Sequence, residues 1–331
     1  MTLSLLLCDD SALARKQLAK VIPDSENIQI FFAANGEEAL AIIAQRHIDL
    51  MFLDLTMPVM DGYQTLDALR QRNISLPVIV VSADIQPEAQ RRVNQLGASG
   101  FISKPVNRDT VDAILRDFAQ ELAKPLVAPT TTPQPRLQRR EIYNEVANIA
   151  IGRGASALAQ HFDVFVKLPL PNVNIFEVAE LHMTLRDLME NETIAGVCQG
   201  FSGEGIAGEA LVLISDSSVD ELCHLLKRNG ESEANRSELL TDVSNIMVGA
   251  FLSGIGEQCD VRFQQSFPIL IGEHIGVDVL IERTHGFWRR TMAFEVSYQI
   301  EDTLIKCELL ILFVDESLPL LDNKLAYLLE D

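Results

Sequence analysis

A chain of 331 residues that is 47% hydrophobic exceeds the size at which one core usually stops growing, so two or three domains are expected. Its net charge of -20 is uneven: residues 1–125 carry 12 basic and 16 acidic side chains, and residues 126–331 carry 15 and 31. No basic stripe or recognition-helix pattern stands ready to neutralise phosphates, which argues against a nucleic-acid partner. The five cysteines show no paired spacing and the six histidines no ligand spacing, which indicates neither a disulfide framework nor a zinc site and fits a reducing compartment. The first apolar run, only about six residues long, ends at Asp9 and Asp10 and lacks a basic leader; it reads as neither signal peptide nor membrane span, and a cytoplasmic location without a membrane partner is expected.

Short apolar runs then alternate with amphipathic ones. LSLLLC (3–8), IQIFFA (28–33), LMFLD (50–54), PVIVVS (77–82) and GFIS (100–103) predict buried strands. The stretches near 12–22, 36–46, 62–71, 87–96 and 109–123 have helical spacing. Continuous apolar strands flanked by helices predict an α/β domain over residues 1–125, with a five-stranded parallel sheet covered on both faces. In such a sheet the active crevice lies outside the carboxyl ends of the strands.

The reactive residues fall at those ends. Asp9 and Asp10 follow the first strand, Asp54 ends the third, Ser82 ends the fourth, and Lys104 follows the fifth, just before Pro105. Three neighbouring carboxylates repel one another unless a cation is present, and hard oxygen donors suit Mg²⁺. Asp54 is the expected nucleophile toward phosphorus, with Mg²⁺ held by Asp9, Asp10, Asp54 and a backbone carbonyl from Thr56. Lys104 and the Ser82 hydroxyl are expected to hold the remaining phosphoryl oxygens.

Through the motifs LLCDDS, MFLDLTMPVMDG, VIVVSAD and GASGFISKP, this segment resembles the CheY-like receiver domains of two-component response regulators. The resemblance implies phosphoryl transfer from a histidine kinase to Asp54. It also implies switching roles for Ser82 and for Phe101, whose ring lacks the hydroxyl of a tyrosine.

Residues 126–137 form a Pro/Thr-rich linker within PLVAPTTTPQPRL, a composition that opposes both helix and sheet. Beyond it, over residues 138–331, the chain repeats itself. EIYNEVANIAIGRGASALAQHFDVFVKLPLP from Glu141 aligns with ELLTDVSNIMVGAFLSGIGEQCDVRFQQSFP from Glu238, a displacement of 97 residues with nine of 31 positions identical. GEALVLISD from Gly208 echoes CELLILFVD from Cys307 at a displacement of 99. Two halves related by a pseudo-twofold axis are therefore expected, each giving a long helix and strands of an antiparallel sheet.

On the first long helix Glu141, Glu145 and Asn148 fall within about 60 degrees of arc, while Ile142, Val146 and Ala150 point elsewhere. Glu238, Asp242 and Asn245 form the matching stripe in the second copy. An asparagine can orient a water for in-line attack, and a glutamate one turn earlier can pair with a lysine. The stripe has no nucleophile or metal cluster of its own, so it suits the completion of a site on another domain.

On these motifs residues 138 to about 320 resemble the CheC/CheX/FliY family of chemotaxis phosphatases, whose helix motif is an acid or serine, Glu, Asn and a downstream proline. Glu141, Glu145, Asn148 and Pro171 match it, with Glu141 in place of the usual Asp or Ser. Glu238, Asp242, Asn245 and Pro268 match with a shorter acid at 242. The resemblance implies that Glu145 engages a receiver's lysine and that Asn148 positions the water that hydrolyses phospho-aspartate. The expected function is thus a response regulator that accepts phosphate on Asp54 and acts as a phospho-aspartate phosphatase on CheY-like receivers, its own receiver included. A non-catalytic, flagellar-switch-like interaction module controlled by phosphorylation is the alternative, and a homo-oligomer is left open. Of the remaining features, FSGEGIAGEA (201–210) reads as a hairpin turn, and Phe287 and Trp288, near Arg289 and Arg290, as a hairpin packed on the core, with a contact surface as the alternative.

Overall fold

The computed structural model describes residues 3–23, 28–122, 139–177, 193–225, 233–275 and 290–328. They fall into two compact units, Met1–Glu145 and Val146–Asp331. The linker 126–137, His182, His285, Phe287, Trp288 and Arg289 lie outside the described residues.

In the first unit the strands are β1 (Leu3–Cys8), β2 (Ile28–Ala33), β3 (Leu50–Leu53), β4 (Val78–Ser82) and β5 (Gly100–Ser103). They pair in parallel in the order β2-β1-β3-β4-β5. Helices α1 (Ala12–Val21), α2 (Gly36–Gln45), α3 (Gly62–Gln71), α4 (Pro87–Gln95) and α5 (Arg108–Leu122) alternate with them. The expected five-stranded receiver sheet is present.

Alternate residues of each strand serve opposite faces, which is why the strands read as unbroken apolar runs. Leu6, Cys8, Met51, Leu53, Val78 and Val80 join one core. Their neighbours Leu5, Leu7, Leu50, Phe52, Ile79 and Val81 join the other. Each fully buried aliphatic side chain contributes about 1.5–3 kcal/mol. The strand order reverses between β1 and β3, so the crevice opens at their carboxyl ends.

Caps set where the helices begin. The Ser11 side chain accepts from Ala14 N at 3.1 Å, and Asn35 accepts from Glu38 N at 3.0 Å. Asp61 and Gln64 form a reciprocal capping box on α3. The turn before it brings Gly62 against the β3 end: Gly62 N donates to Leu55 O at 3.0 Å. A Cβ on Gly62 would lie 2.3 Å from Asp54 O and 2.8 Å from Leu55 Cα. Glycine is required there by close approach.

The second unit is built around an antiparallel sheet. Helix α6 (Arg139–Phe162) runs across the unit boundary and is followed by β6 (Val166–Lys167) and β7 (Asn172–Glu177). Then come β8 (Ile194–Gly203), β9 (Ile206–Ser215), α7 (Asp216–Leu225), α8 (Glu233–Cys259), β10 (Gln264–Gln265) and β11 (Ile269–Ile275). The last elements are β12 (Arg290–Ile300), β13 (Lys306–Val314) and α9 (Leu318–Leu325). The strand order is β10-β8-β9-β13-β12-β6, with β11 on β8 and β7 on β12.

The internal repeat is visible in this arrangement. The β8–β9 and β12–β13 hairpins meet across the central β9–β13 pair. Both long helices end alike: Asp163 has φ 54° and Asp260 φ 51°, and the next residue donates back five positions, Val164 N to Ala159 O and Val261 N to Gly256 O. These are left-handed helix-ending caps, and they explain why an Asp-Val pair recurs at the same offset. Pro171 and Pro268 each precede a strand, β7 and β11, where a missing N–H is tolerated.

Between β8 and β9, Glu204 (φ 49°) and Gly205 (φ 84°) make a two-residue turn with both residues left-handed, so the glycine-rich segment is a hairpin. The stretch Arg236–Cys259 of α8 is apolar and long enough for a membrane span by composition. Its apolar side chains, among them Leu239, Val243, Met247, Phe251 and Ile255, are instead at most 1% exposed and belong to the core. Phe251 packs edge-on to Phe294, and Phe294 to Phe313, at ring separations of 6.0 and 5.7 Å.

Substitution Gly62→Ala tests the account of the β3–α3 turn. Forcing a methyl into backbone should destabilise the first unit by about 1–3 kcal/mol, read as a lower urea midpoint. An unchanged midpoint would contradict the close approach.

Candidate functional site

Main-chain bonds tie the carboxyl ends of β2, β1 and β3 to one another, and those of β4 and β5. Asp9 N donates to Ala33 O at 3.1 Å, Asp54 N to Cys8 O at 2.8 Å, and Lys104 N to Ser82 O at 2.9 Å. β3 ends at Leu53, one residue short of the sequence expectation, so Asp54 stands just beyond the strand. The side chains are enclosed: Asp54 and Ser82 are 1% exposed, Asp9 6% and Lys104 7%.

Lys104 sits at the centre of the cluster. Its Nζ lies 2.7 Å from Asp9 Oδ2 and 3.3 Å from Asp54 Oδ1. The third carboxylate on it belongs to Glu145, the last residue of the first unit, with Oε1 at 3.4 Å. Thr56 N donates to Asp54 Oδ2 at 3.0 Å, and Ser11 N to Asp9 Oδ1 at 2.9 Å. The Ser82 hydroxyl oxygen accepts from Asp84 N at 3.1 Å, which leaves its proton available to a ligand. Phe101 is partly buried against one of the two cores.

Two further side chains shape the pocket that the sequence did not single out. The Arg15 guanidinium donates to the carbonyls of both Asp9 and Asp10 and so orders the acidic turn. Asp84 is buried, accepts from Gln86 N at 3.0 Å, and has its pKa raised to about 6 because burial outweighs the Gln86 hydrogen bonds. The arginine acts through main-chain contacts, for which no residue spacing signals. Asp84 lies within VIVVSAD, but only burial distinguishes it from a loop acid.

One carboxylate oxygen from each of Asp9, Asp10 and Asp54 lies within 4.8 Å of the others. Asp54 Oδ1 is buried without a hydrogen-bond partner among the described residues, and all the donors are hard oxygens. The triad therefore fits Mg²⁺ and matches the acidic pocket that binds it in receiver domains.

Electrostatics show what an ion would relieve. Unit charges about 4 Å apart interact by roughly 4 kcal/mol at an effective dielectric constant of 20. Burial pushes Asp54 up, Lys104 draws it back, and Asp9, Asp10 and Glu145 push it up again; the net direction is well above the usual carboxylate range. Asp10 rises to about 7, through burial first and then the Asp9 charge. Burial alone would lower Lys104, yet Asp54, Asp9 and Glu145 more than offset it and hold the ammonium well above the usual lysine range. Glu145 is raised by burial, with Lys104 opposing. Without a cation, Asp10, Asp54 and Glu145 each favour their protonated form more than a free carboxyl does.

The two helix stripes occupy different environments. Glu145 and Asn148 of α6 are each 4% exposed, and Asn148 Oδ1 has no hydrogen-bond partner among the described residues. On α8, Glu238 and Asn245 are exposed and Asp242 is half-buried. Asn245 Oδ1 accepts from Gln199 Nε2 of β8 at 3.1 Å.

Comparison with known proteins agrees with the first unit's geometry. The response regulator receiver domain family matches residues 5–116. The sensor histidine kinase RcsC of Escherichia coli (strain K12) is 34% identical over 120 residues, which is 36% of this chain and 12% of RcsC. A protein-glutamate methylesterase/protein-glutamine glutaminase of Moorella thermoacetica is 36% identical over 139 residues, 40% of this chain and 31% of the relative. The chain thus spans about an eighth to a third of the length of these relatives. Among solved structures, chemotaxis response regulator CheY4 of Vibrio cholerae is 28% identical, covering 36% of this chain and 99% of its own, with a TM-score of 0.33. The first unit is a CheY-like receiver domain of the phosphorylatable kind used in two-component signalling.

The Asp10 carboxyl makes metal binding pH-dependent. Below about 7 it is protonated in the metal-free pocket, so Mg²⁺ must displace a proton, and apparent affinity should fall about tenfold per pH unit. Above that point the contribution of Asp10 to this dependence should vanish. Calorimetric titration with Mg²⁺ on either side of neutrality checks this, and equal affinities would contradict it.

Proposed function

We propose that this protein is a response regulator that accepts a phosphoryl group on Asp54 and, through the stripe on α6, hydrolyses phospho-aspartate on CheY-like receivers. A histidine kinase or a small acyl phosphate supplies the group. An Asp54 carboxylate oxygen forms the bond to phosphorus as the bond to the donor's leaving group breaks. Bound at Asp9, Asp10, Asp54 and the Thr56 carbonyl, Mg²⁺ supplies charge neutralisation for the phosphoryl oxygens. The Lys104 ammonium takes a second oxygen, and the Ser82 hydroxyl donates to a third.

Hydrolysis reverses the bond at phosphorus. A water attacks opposite the Asp54-type carboxylate, the acyl phosphate P–O bond breaks, and inorganic phosphate and a carboxylate are released. In this reading the Glu145 carboxylate grips the receiver's active-site lysine and Asn148, three residues along the same face of α6, orients the water. The observation that carries it is the 3.4 Å ion pair of Glu145 with Lys104, the contact that a lysine-gripping acid would make. Support also comes from Asn148, a buried amide with an oxygen still lacking a partner among the described residues.

The two stripes should then be unequal. Asp242 is one methylene shorter than Glu145, and a misplacement near 1 Å costs about a hundredfold in rate. Asn148→Ala should lose most turnover of a phosphorylated CheY-like receiver, on the order of a hundredfold, while Asn245→Ala loses little. Phosphate-release rates of the two variants decide this. A larger loss in Asn245→Ala reverses the assignment, and a parent chain that accelerates no dephosphorylation favours the interaction-module alternative.

A further inference from the structure

Gln199 lies in the middle of β8 and is 2% exposed. Its Nε2 donates to the Ser266 carbonyl at 2.8 Å, to Asn245 Oδ1 at 3.1 Å and, more distantly, to Gln265 Oε1 at 3.3 Å. A backbone carbonyl can only accept, so the atom of Gln199 facing Ser266 must be its nitrogen. Ser266 is itself held, its N–H donating to Gly200 O at 2.8 Å and its hydroxyl accepting from Gly200 N at 3.0 Å. With Gln199 oriented in this way, the Asn245 atom that meets it must be the oxygen. The Asn245 carboxamide is thereby fixed, with its oxygen held toward the buried Gln199 amide and its Nδ2 hydrogens on the other side.

The first half of the repeat lacks this lock. β10 pairs Gln264 with Ser202, and β6 pairs Lys167 with Gln299; Lys167 and Gln264 are 97 residues apart, which makes Ser202 equivalent to Gln299 and Gln199 equivalent to Val296. The hairpin registers agree, because Gln199 faces Ala210 and Val296 faces Leu309, the pair related by the second displacement of 99. Val296 is buried and has no side-chain donor, and Asn148 Oδ1 is without a hydrogen-bond partner among the described residues.

We propose that Gln199 is a positioning residue that holds the Asn245 oxygen toward β8 and leaves its Nδ2 side to the ligand, so that the α8 stripe binds a phosphorylated receiver without hydrolysing it. Orienting an attacking water requires an acceptor oxygen free to turn to it; the Asn148 oxygen has no hydrogen-bond partner among the described residues, whereas the Asn245 oxygen is held by Gln199. The Nδ2 hydrogens of Asn245 instead suit a phosphoryl oxygen. This inference rests on the reading of both stripes as phospho-aspartate sites, and it adds to the shorter Asp242 a second, independent cause of inequality.

The test is a gain of function in the full chain. Asn148→Ala silences the first stripe, and adding Gln199→Val gives the second stripe the residue found in the first. Phosphate release from a CheY-like receiver labelled with acetyl phosphate should rise about tenfold in kcat over Asn148→Ala alone, which damage to the fold does not produce. Gln199→Leu, closer in volume, should do the same if the valine variant fails to fold. An unchanged or lower kcat in a folded double variant overturns the proposal. Should the parent show no turnover, the phosphatase reading alone fails; the lock is then read from the side-chain carbonyl ¹³C resonance of Asn245. That resonance should shift on Gln199→Val while Asn148's stays in place, and no shift overturns the lock.

Discussion

The first unit is organised around one buried ammonium. Lys104 lies within 3.4 Å of carboxylate oxygens from Asp9, Asp54 and Glu145, and it reaches them because the β5 end is tied to β4 by the Lys104 N to Ser82 O bond. A single cation cannot balance four neighbouring acids, Asp10 among them. Asp10, Asp54 and Glu145 are therefore shifted toward their protonated forms, and an added cation opposes that shift. A divalent ion and a doubly negative phosphoryl group enter such a site as a pair, each compensating the other.

The scaffold makes this tolerable. Asp54 stands one residue beyond a strand buried on both faces, and Gly62 presses the following turn onto its backbone. Arg15 and Ser11 fix the acidic turn after β1 from the opposite side. The Gly62 and Arg15 constraints act through the main chain and spare the side-chain oxygens, whereas Ser11 N holds Asp9 Oδ1.

Much of this could be read from the sequence for a physical reason. The five parallel strands are buried on both faces and so leave continuous apolar runs, and their ends are marked by polar residues that a core would exclude. The sequence overextends β3 by one residue because Asp54 directly follows the apolar run and still donates its N–H to Cys8 O, although the last paired residue is Leu53. In the second unit the repeat exposed the architecture of two long helices and an antiparallel sheet, since helix-ending Asp163 and Asp260 and the strand-entry prolines recur at one offset. What the repeat could not convey is the difference between its halves. Glu145 and Asn148 are buried while Glu238 and Asn245 are exposed, and Gln199 touches Asn245 across 46 residues of chain. Such contacts arise from register between distant elements and leave no local pattern.

In the proposed reading, a phosphorylatable receiver is joined to a domain with one stripe suited to turnover and one suited to retention. The receiver half of that account depends on phosphate residing on Asp54. Intact mass after incubation with acetyl phosphate and Mg²⁺ measures it most directly. The parent should gain one phosphoryl group and Asp54→Asn none; equal labelling of the two would contradict the account.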